Sequence, residues 1–233
     1  MRLSEAAEKL IVAKVADGKS QKTIRDYRQK LAPMIEYLSD KEVEVVTVDD
    51  LRGYVAHLRS RTTRYPTHPN HHEKPGGLSP ASIAGYVRVL KLFFNFLKEE
   101  DYIPSDPAKA IKAQKPPRGE PKACGMDDLQ ALLDATEGNK RDQAILLFLA
   151  DTGCRVGGLV GLRIQDVNLA RRTAQIKEKG EKTRVVHFGE TTAQSLREWI
   201  AVRPATGNDF VFINLTRQSY QQMTTGGVEE VMR

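Results

Sequence analysis

The apolar spacing of this chain changes character at a run of prolines, and that change limits the architectures open to it. Before Pro104 the hydrophobic residues recur every three or four positions; beyond Pro121 helical spacing alternates with short β-like runs. Leu3, Ala6, Ala7, Leu10, Ile11 and Lys14 follow a helical period that Asp17-Gly18 ends. Ser20 is placed to cap a second helix reaching Leu38, with Ile24, Tyr27, Leu31, Met34, Ile35 and Leu38 on its inner side. Thr47-Val48-Asp49-Asp50 has the form of a capping box and opens a third helix through Leu58. Ser79 before Pro80 opens a fourth, residues 80–100, carrying Ile83, Tyr86, Val87, Leu90, Phe93, Phe94 and Leu97. Between the third and fourth lies a loop over residues 61–78, rich in Thr, Pro, His and Gly.

Residues 103–122 hold Pro104, Pro107, Pro116, Pro117 and Pro121, with Lys109, Lys112, Lys115, Arg118 and Lys122 among them. Proline stiffness and like charge together predict an extended basic linker. The expected division is therefore a helical domain at 1–102, a linker at 103–122 and a mixed domain at 123–233. In the last, residues 127–135, 140–151 and 191–202 read as helices. Residues 173–177 and 183–188 read as two strands around the turn Glu178-Lys179-Gly180-Glu181-Lys182. Residues 210–213 read as another short strand, and residues 226–233 begin a helix. The fold class expected is mainly α with a small β-hairpin or sheet.

The net charge is +6. Residues 1–121 carry 21 Lys and Arg against 16 Asp and Glu, so nearly all of the excess lies in the helical half. Such a balance points to a polyanion partner; a solvated basic surface is the alternative. Lys22, Arg25 and Arg28 lie on one side of the second helix, and Arg88 and Lys91 lie in the fourth. Two cysteines far apart, Cys124 and Cys154, suit free thiols in a reducing compartment. The first residues have no signal-peptide core, and the apolar run Ala144–Ala150 is too short to span a bilayer, so a soluble cytoplasmic protein is expected. The loop segment His68-Pro69-Asn70-His71-His72-Glu73 has metal-ligating residue types, but its composition is that of a solvated loop. No metal and no other cofactor is expected.

Residues 152–162, Thr-Gly-Cys-Arg-Val-Gly-Gly-Leu-Val-Gly-Leu, place a single arginine between two apolar stretches. Burying a guanidinium without an anion is costly, because it keeps its charge. Positions 158 and 159 are Gly and Leu, so no carboxylate follows at helical spacing. The partner of Arg155 is expected from outside the local segment: a phosphate, or Asp151 or Asp166 if the arginine is structural.

These elements, in their order, resemble the tyrosine recombinases, the phage-integrase family. Ala150 to Leu162 is similar to that family's Thr-Gly-x-Arg-x-x-Glu-Leu segment, and residues 178–184 to its Gly-Lys-Gly-x-Lys-x-Arg hairpin. Ser20, Thr23 and Tyr27, then Ser79 to Ile83, resemble elements of its helical core-binding domain. The resemblance implies a SAM-like core-binding domain followed by part of an α+β catalytic domain. It implies double-stranded DNA as partner, with several copies assembling on it. It gives Arg155 the role of stabilising charge on phosphate oxygens, and Lys179 that of a general acid for the leaving 5′ oxygen, with Lys182 and Arg184 as rivals. DNA contacts are expected from Lys22, Arg25, Arg28, Arg88, Lys91, Lys115 and Arg184.

Two departures stand out. Gly158 replaces the family's Glu after the arginine, and no His-x-x-Arg box occurs. The tyrosine nucleophile belongs after that box, and Tyr220 lies before its expected place. The expectation is a recombinase-type chain that binds DNA but does not complete strand exchange by itself. A non-catalytic DNA-binding regulator or decoy, and a helical interaction module of incidental charge, remain alternatives.

Overall fold

Helix starts encoded by Ser20, Thr47 and Ser79 are where the chain turns helical. The computed structural model describes residues 1–64, 74–112, 124–178, 182–215 and 220–232. The chain divides into two units, Met1–Glu120 and Pro121–Arg233. It is mainly α with a small antiparallel sheet.

The first unit holds α1 (Leu3–Ala16), α2 (Gln21–Tyr37), α3 (Val48–Ser60) and α4 (Pro80–Glu99). Ser20 Oγ accepts from the Thr23 N–H at 3.3 Å, and Ser79 Oγ from the Ser82 N–H at 3.1 Å. At α3 both bonds of the capping box form: Thr47 Oγ1 accepts from the Asp50 N–H, and the Asp50 carboxylate from the Thr47 N–H. The apolar faces meet in one core, where Leu10, Leu31, Met34, Leu51, Tyr54, Leu90, Phe93 and Phe94 are almost wholly buried. Phe93 and Phe94 pack edge to face with ring centres 5.1 Å apart. Ile103, Ala108 and Ile111, in the proline-bearing stretch after α4, are buried against the same core. The loop after α3 contains a two-residue ladder, β1 (Thr63–Arg64) with β2 (Lys74–Pro75).

The second unit holds α5 (Met126–Ala135), α6 (Lys140–Thr152), α7 (Val156–Val160), β3 (Val167–Asn168), β4 (Thr173–Lys177), β5 (Thr183–His187), α8 (Glu190–Val202) and α9 (Thr225–Val231). The strand order is β3-β4-β5, all antiparallel, with Ala174 opposite Val186 and Ile176 opposite Arg184. Alternation along β4 buries Ala174 and Ile176 against Phe148, Leu159 and Leu196. Residues 210–213 do not form the expected strand. Among the described residues Phe210 forms an isolated bridge with Arg163, and Ile213 one with Gln222. Their anchor is instead Trp199, whose Nε1 donates to the Val211 carbonyl at 2.8 Å from within the core. No described helix is long and apolar enough to cross a membrane.

Candidate phosphate-binding site at the hairpin end

A Thr-Gly pair sets the position of Arg155. Thr152 Oγ1 donates to the Phe148 carbonyl at 2.6 Å, and the Gly153 N–H donates to the Leu149 carbonyl at 3.0 Å, closing α6. Gly153 takes φ +55°, a left-handed conformation that glycine adopts without cost. The chain then reverses into α7, with Arg155 as its N-cap residue and the Arg155 carbonyl accepting from the Gly158 and Leu159 N–H groups. Leu159 is fully buried and Val160 nearly so; they face the core and leave Arg155 at the surface.

The guanidinium is not buried: 72% of the Arg155 side chain is exposed. Its anionic partner does come from outside the local segment, and it is neither Asp151 nor Asp166. The Asp151 carboxylate is committed to α8, accepting from the Gly189 N–H at 2.7 Å and from Thr192 Oγ1 at 2.6 Å. The partner is Glu178, whose Oε2 accepts from Arg155 Nη1. Its other oxygen accepts from Arg184 Nη2 at 3.1 Å. One carboxylate, only 18% exposed, thus bridges two guanidiniums, that of Arg155 largely in solvent and that of Arg184 about half exposed.

Strand register explains the convergence. Ile176 and Val186 point to the core, so Glu178 and Arg184, two positions further toward the turn on each strand, share that face. The Glu178 N–H donates to the Lys182 carbonyl at 2.8 Å and extends the ladder by one rung. The last core-facing positions of the hairpin therefore sit beside the start of α7. Cys154, next to Arg155, is buried, and that burial pushes its thiol up, against a smaller opposing effect of its hydrogen bond to Thr152.

Lys179 lies outside the described residues, as do Lys115 and the His68–His72 segment. Of the remaining candidates, Lys22, Arg25 and Arg28 are exposed at three-residue intervals on α2, and Arg28 pairs with Glu8 of α1 at 2.8 Å. Arg88 is exposed on α4. Lys91 is engaged within the unit, its Nζ donating to the carbonyls of Ile111 at 2.9 Å and Lys109 at 3.4 Å. Sequence reasoning left out Arg59, which lines a cleft of about 220 Å³ with Lys112 of the basic segment and with Pro80, Ile83, Ala84 and Val87. It also gave Glu178 no role. The available signal was a glutamate standing where the similar hairpin segment has glycine.

Residues 124–233 match the sequence model of the phage integrase family, and residues 10–66 that of the phage integrase N-terminal SAM-like domain. The chain is 30% identical to tyrosine recombinase XerD of Listeria monocytogenes over 93% of its own length and 74% of the relative's. It is 31% identical to tyrosine recombinase XerC of Pseudomonas syringae over 84% of its length and 63% of the relative's. Among solved structures it superposes on a lambda integrase dimer bound to a COC′ core site with a TM-score of 0.75 and 16% identity, covering 100% of this chain and 79% of that one. The Tn1549 transposon integrase in complex with transposon right end DNA gives 0.71 at 16% identity, over 92% of this chain and 72% of that one.

Proposed function

The chain belongs to the tyrosine recombinase family, and on that premise we propose that it takes part in site-specific DNA recombination by gripping duplex DNA and activating one backbone phosphate. The observation that carries this reading is the exposed Arg155 guanidinium, which shares the Glu178 carboxylate with Arg184 at the hairpin end; in the sequence Lys179 follows Glu178 directly.

In this reading Arg155 donates to the non-bridging oxygens of the scissile phosphodiester. Negative charge gathers there in the pentacoordinate transition state, and a guanidinium neutralises it without giving up a proton. Arg184 adds a second positive charge. The Lys179 ammonium gives its proton to the departing 5′ oxygen. Lys22, Arg25, Arg28, Arg88 and Lys115 meet backbone phosphates and set register rather than sequence choice. Lys91 acts indirectly, by holding residues 109–111 at the start of the basic segment. Several copies assemble on the DNA, as the resemblance implies.

Residues 1–233 contain no His-x-x-Arg box. We infer that these residues alone bind DNA and form no covalent phosphotyrosine adduct. A salt titration tests the first part: the logarithm of duplex affinity falls linearly with that of salt, by about 0.9 for each phosphate contacted. Affinity that does not respond to salt overturns the reading in favour of an interaction module. A nicked suicide substrate tests the second part, and a covalent adduct refutes it.

A further inference from the structure

We propose that Glu178 is the positioning carboxylate of this site, and that it does from the hairpin what a glutamate at position 158 would do from α7. The proposal rests on reading Arg155 as the phosphate ligand. Three observations converge on it.

The first is the asymmetry of the ion pairs. In an ordinary surface pair both partners are exposed and loosely held. Here the carboxylate is fixed and the cations are not: Glu178 is 18% exposed, against 72% for Arg155 and 48% for Arg184. The Glu178 backbone is held by its bond to Lys182, so the carboxylate is the anchor for both guanidiniums. Among the described residues Arg155 bonds only through Nη1, which leaves Nε and Nη2 as donors for an oxyanion.

The second is the direction of residue 158. Gly158 is buried one turn after Arg155, and a Cβ placed on it lies 3.6 Å from the Lys177 carbonyl oxygen and 3.7 Å from the Ile176 Cβ. Those are ordinary contacts. A side chain at 158 heads toward the end of β4, where Glu178 follows Lys177. Helix and strand end thus address the same place from two sides.

The third is the sequence. The similar family segments carry glutamate three residues after the arginine and glycine at the hairpin start. This chain has glycine at the first place and glutamate at the second. The two residue types are exchanged, and one carboxylate is kept. A single negative charge between two positive ones relieves the repulsion between the arginines and leaves a net positive charge for a phosphate.

The test starts without DNA. In the unliganded chain the Arg155 Nε–Hε NMR signal should report hindered rotation, become motionally averaged in Glu178→Gly and Glu178→Gln, and be hindered again in the Gly158→Glu/Glu178→Gly exchange. Gly158→Ala serves as the control that position 158 accepts a side chain without unfolding. With a mixed-sequence DNA duplex, Glu178→Gly should weaken binding about tenfold although it removes a negative charge, and the exchange variant should return to within about threefold of the parent. Tighter binding by Glu178→Gly would mean a carboxylate that competes with phosphate, and would overturn the proposal. So would an exchange variant whose Arg155 signal stays averaged. A parent chain that fails to bind duplex DNA defeats the recombinase reading instead, while the NMR comparison still decides the role of Glu178.

Discussion

The interior of the first unit and the hairpin end of the second hold their side chains in place by opposite means. In the first, Phe93, Phe94, Leu90 and Leu97 are fixed by exclusion from water, and their neighbours are almost all apolar. In the second, Arg155, Glu178 and Arg184 are fixed by charge and strand register, with Arg155 mostly in solvent and Arg184 about half exposed. Burial is worth roughly 1.5–3 kcal/mol for each large apolar side chain, whereas exposed ion pairs contribute about 0–1 kcal/mol. The chain therefore separates what makes it stable from what shapes its site, and loss of one should leave the other measurable.

The largest expected effect tests that separation directly. Phe93→Ala removes a fully buried ring and should cost about 3–5 kcal/mol. Calorimetry should show the first unit's transition lowered and the second unit's unchanged. Arg155→Ala should cost no more than about 0.5 kcal/mol while weakening binding to duplex DNA. Equal destabilisation by the two variants would break the comparison and make Arg155 a structural residue.

Gly153→Ala sharpens the comparison from the site's side. At φ +55° an added Cβ finds no atom within 4 Å, so the cost is backbone strain alone, about 1 kcal/mol. The strain falls two residues before Arg155. DNA affinity is expected to drop further than thermal stability does; a variant with parent affinity would show that the left-handed turn ends α6 without aiming the arginine.

What could be read in the sequence follows the same division. Caps are local: Ser20 with Thr23, Thr47 with Asp50, and Ser79 with Ser82 each act over three residues, so these helix starts were legible. The hairpin was legible because turn residues separate two runs of β character. Arg155 could be found from its Thr-Gly break. Its partner could not, because 23 residues separate Arg155 from Glu178 and only strand register brings them together. The stretch 210–213 misled for a related reason. It has strand composition, but the Val211 N–H donates to the Leu162 carbonyl, the Phe212 carbonyl accepts from the Met223 N–H and the Val211 carbonyl from Trp199, which no local pattern reveals. β3 was missed because two residues give no periodicity to read.

Acid sets up the next contrast. The Lys41 ammonium and then the Thr47 N–H hold the Asp50 carboxyl below the usual aspartate range, burial opposing them. A folded-state value lower than the unfolded one stabilises the fold above the ordinary aspartate range of about 4. That contribution disappears as pH falls through the lowered value. Asp50→Ala should cost about 1 kcal/mol at neutral pH, through loss of the α3 cap, and should make the first unit's stability less sensitive to acid. Urea midpoints measured from neutral pH down to acid would show it. An unchanged acid slope would mean that the capping box, though formed, adds little to a unit held by its apolar core.

The smallest expected effect concerns the one buried side-chain polar atom that has no partner among the described residues. Tyr54 is 1% exposed, and its hydroxyl finds no hydrogen bond there. Burial raises its ionisation far above the usual tyrosine value, so the group is neutral at any ordinary pH. A buried hydroxyl without a partner gives up its bonds to water and regains nothing. Tyr54→Phe keeps the ring against Tyr37 and removes only that oxygen. It should therefore stabilise the first unit, by about 0.5 kcal/mol, and leave DNA affinity unchanged. Destabilisation would mean that the hydroxyl is satisfied in solution, and that the interior of the first unit depends on a polar contact as the hairpin end does.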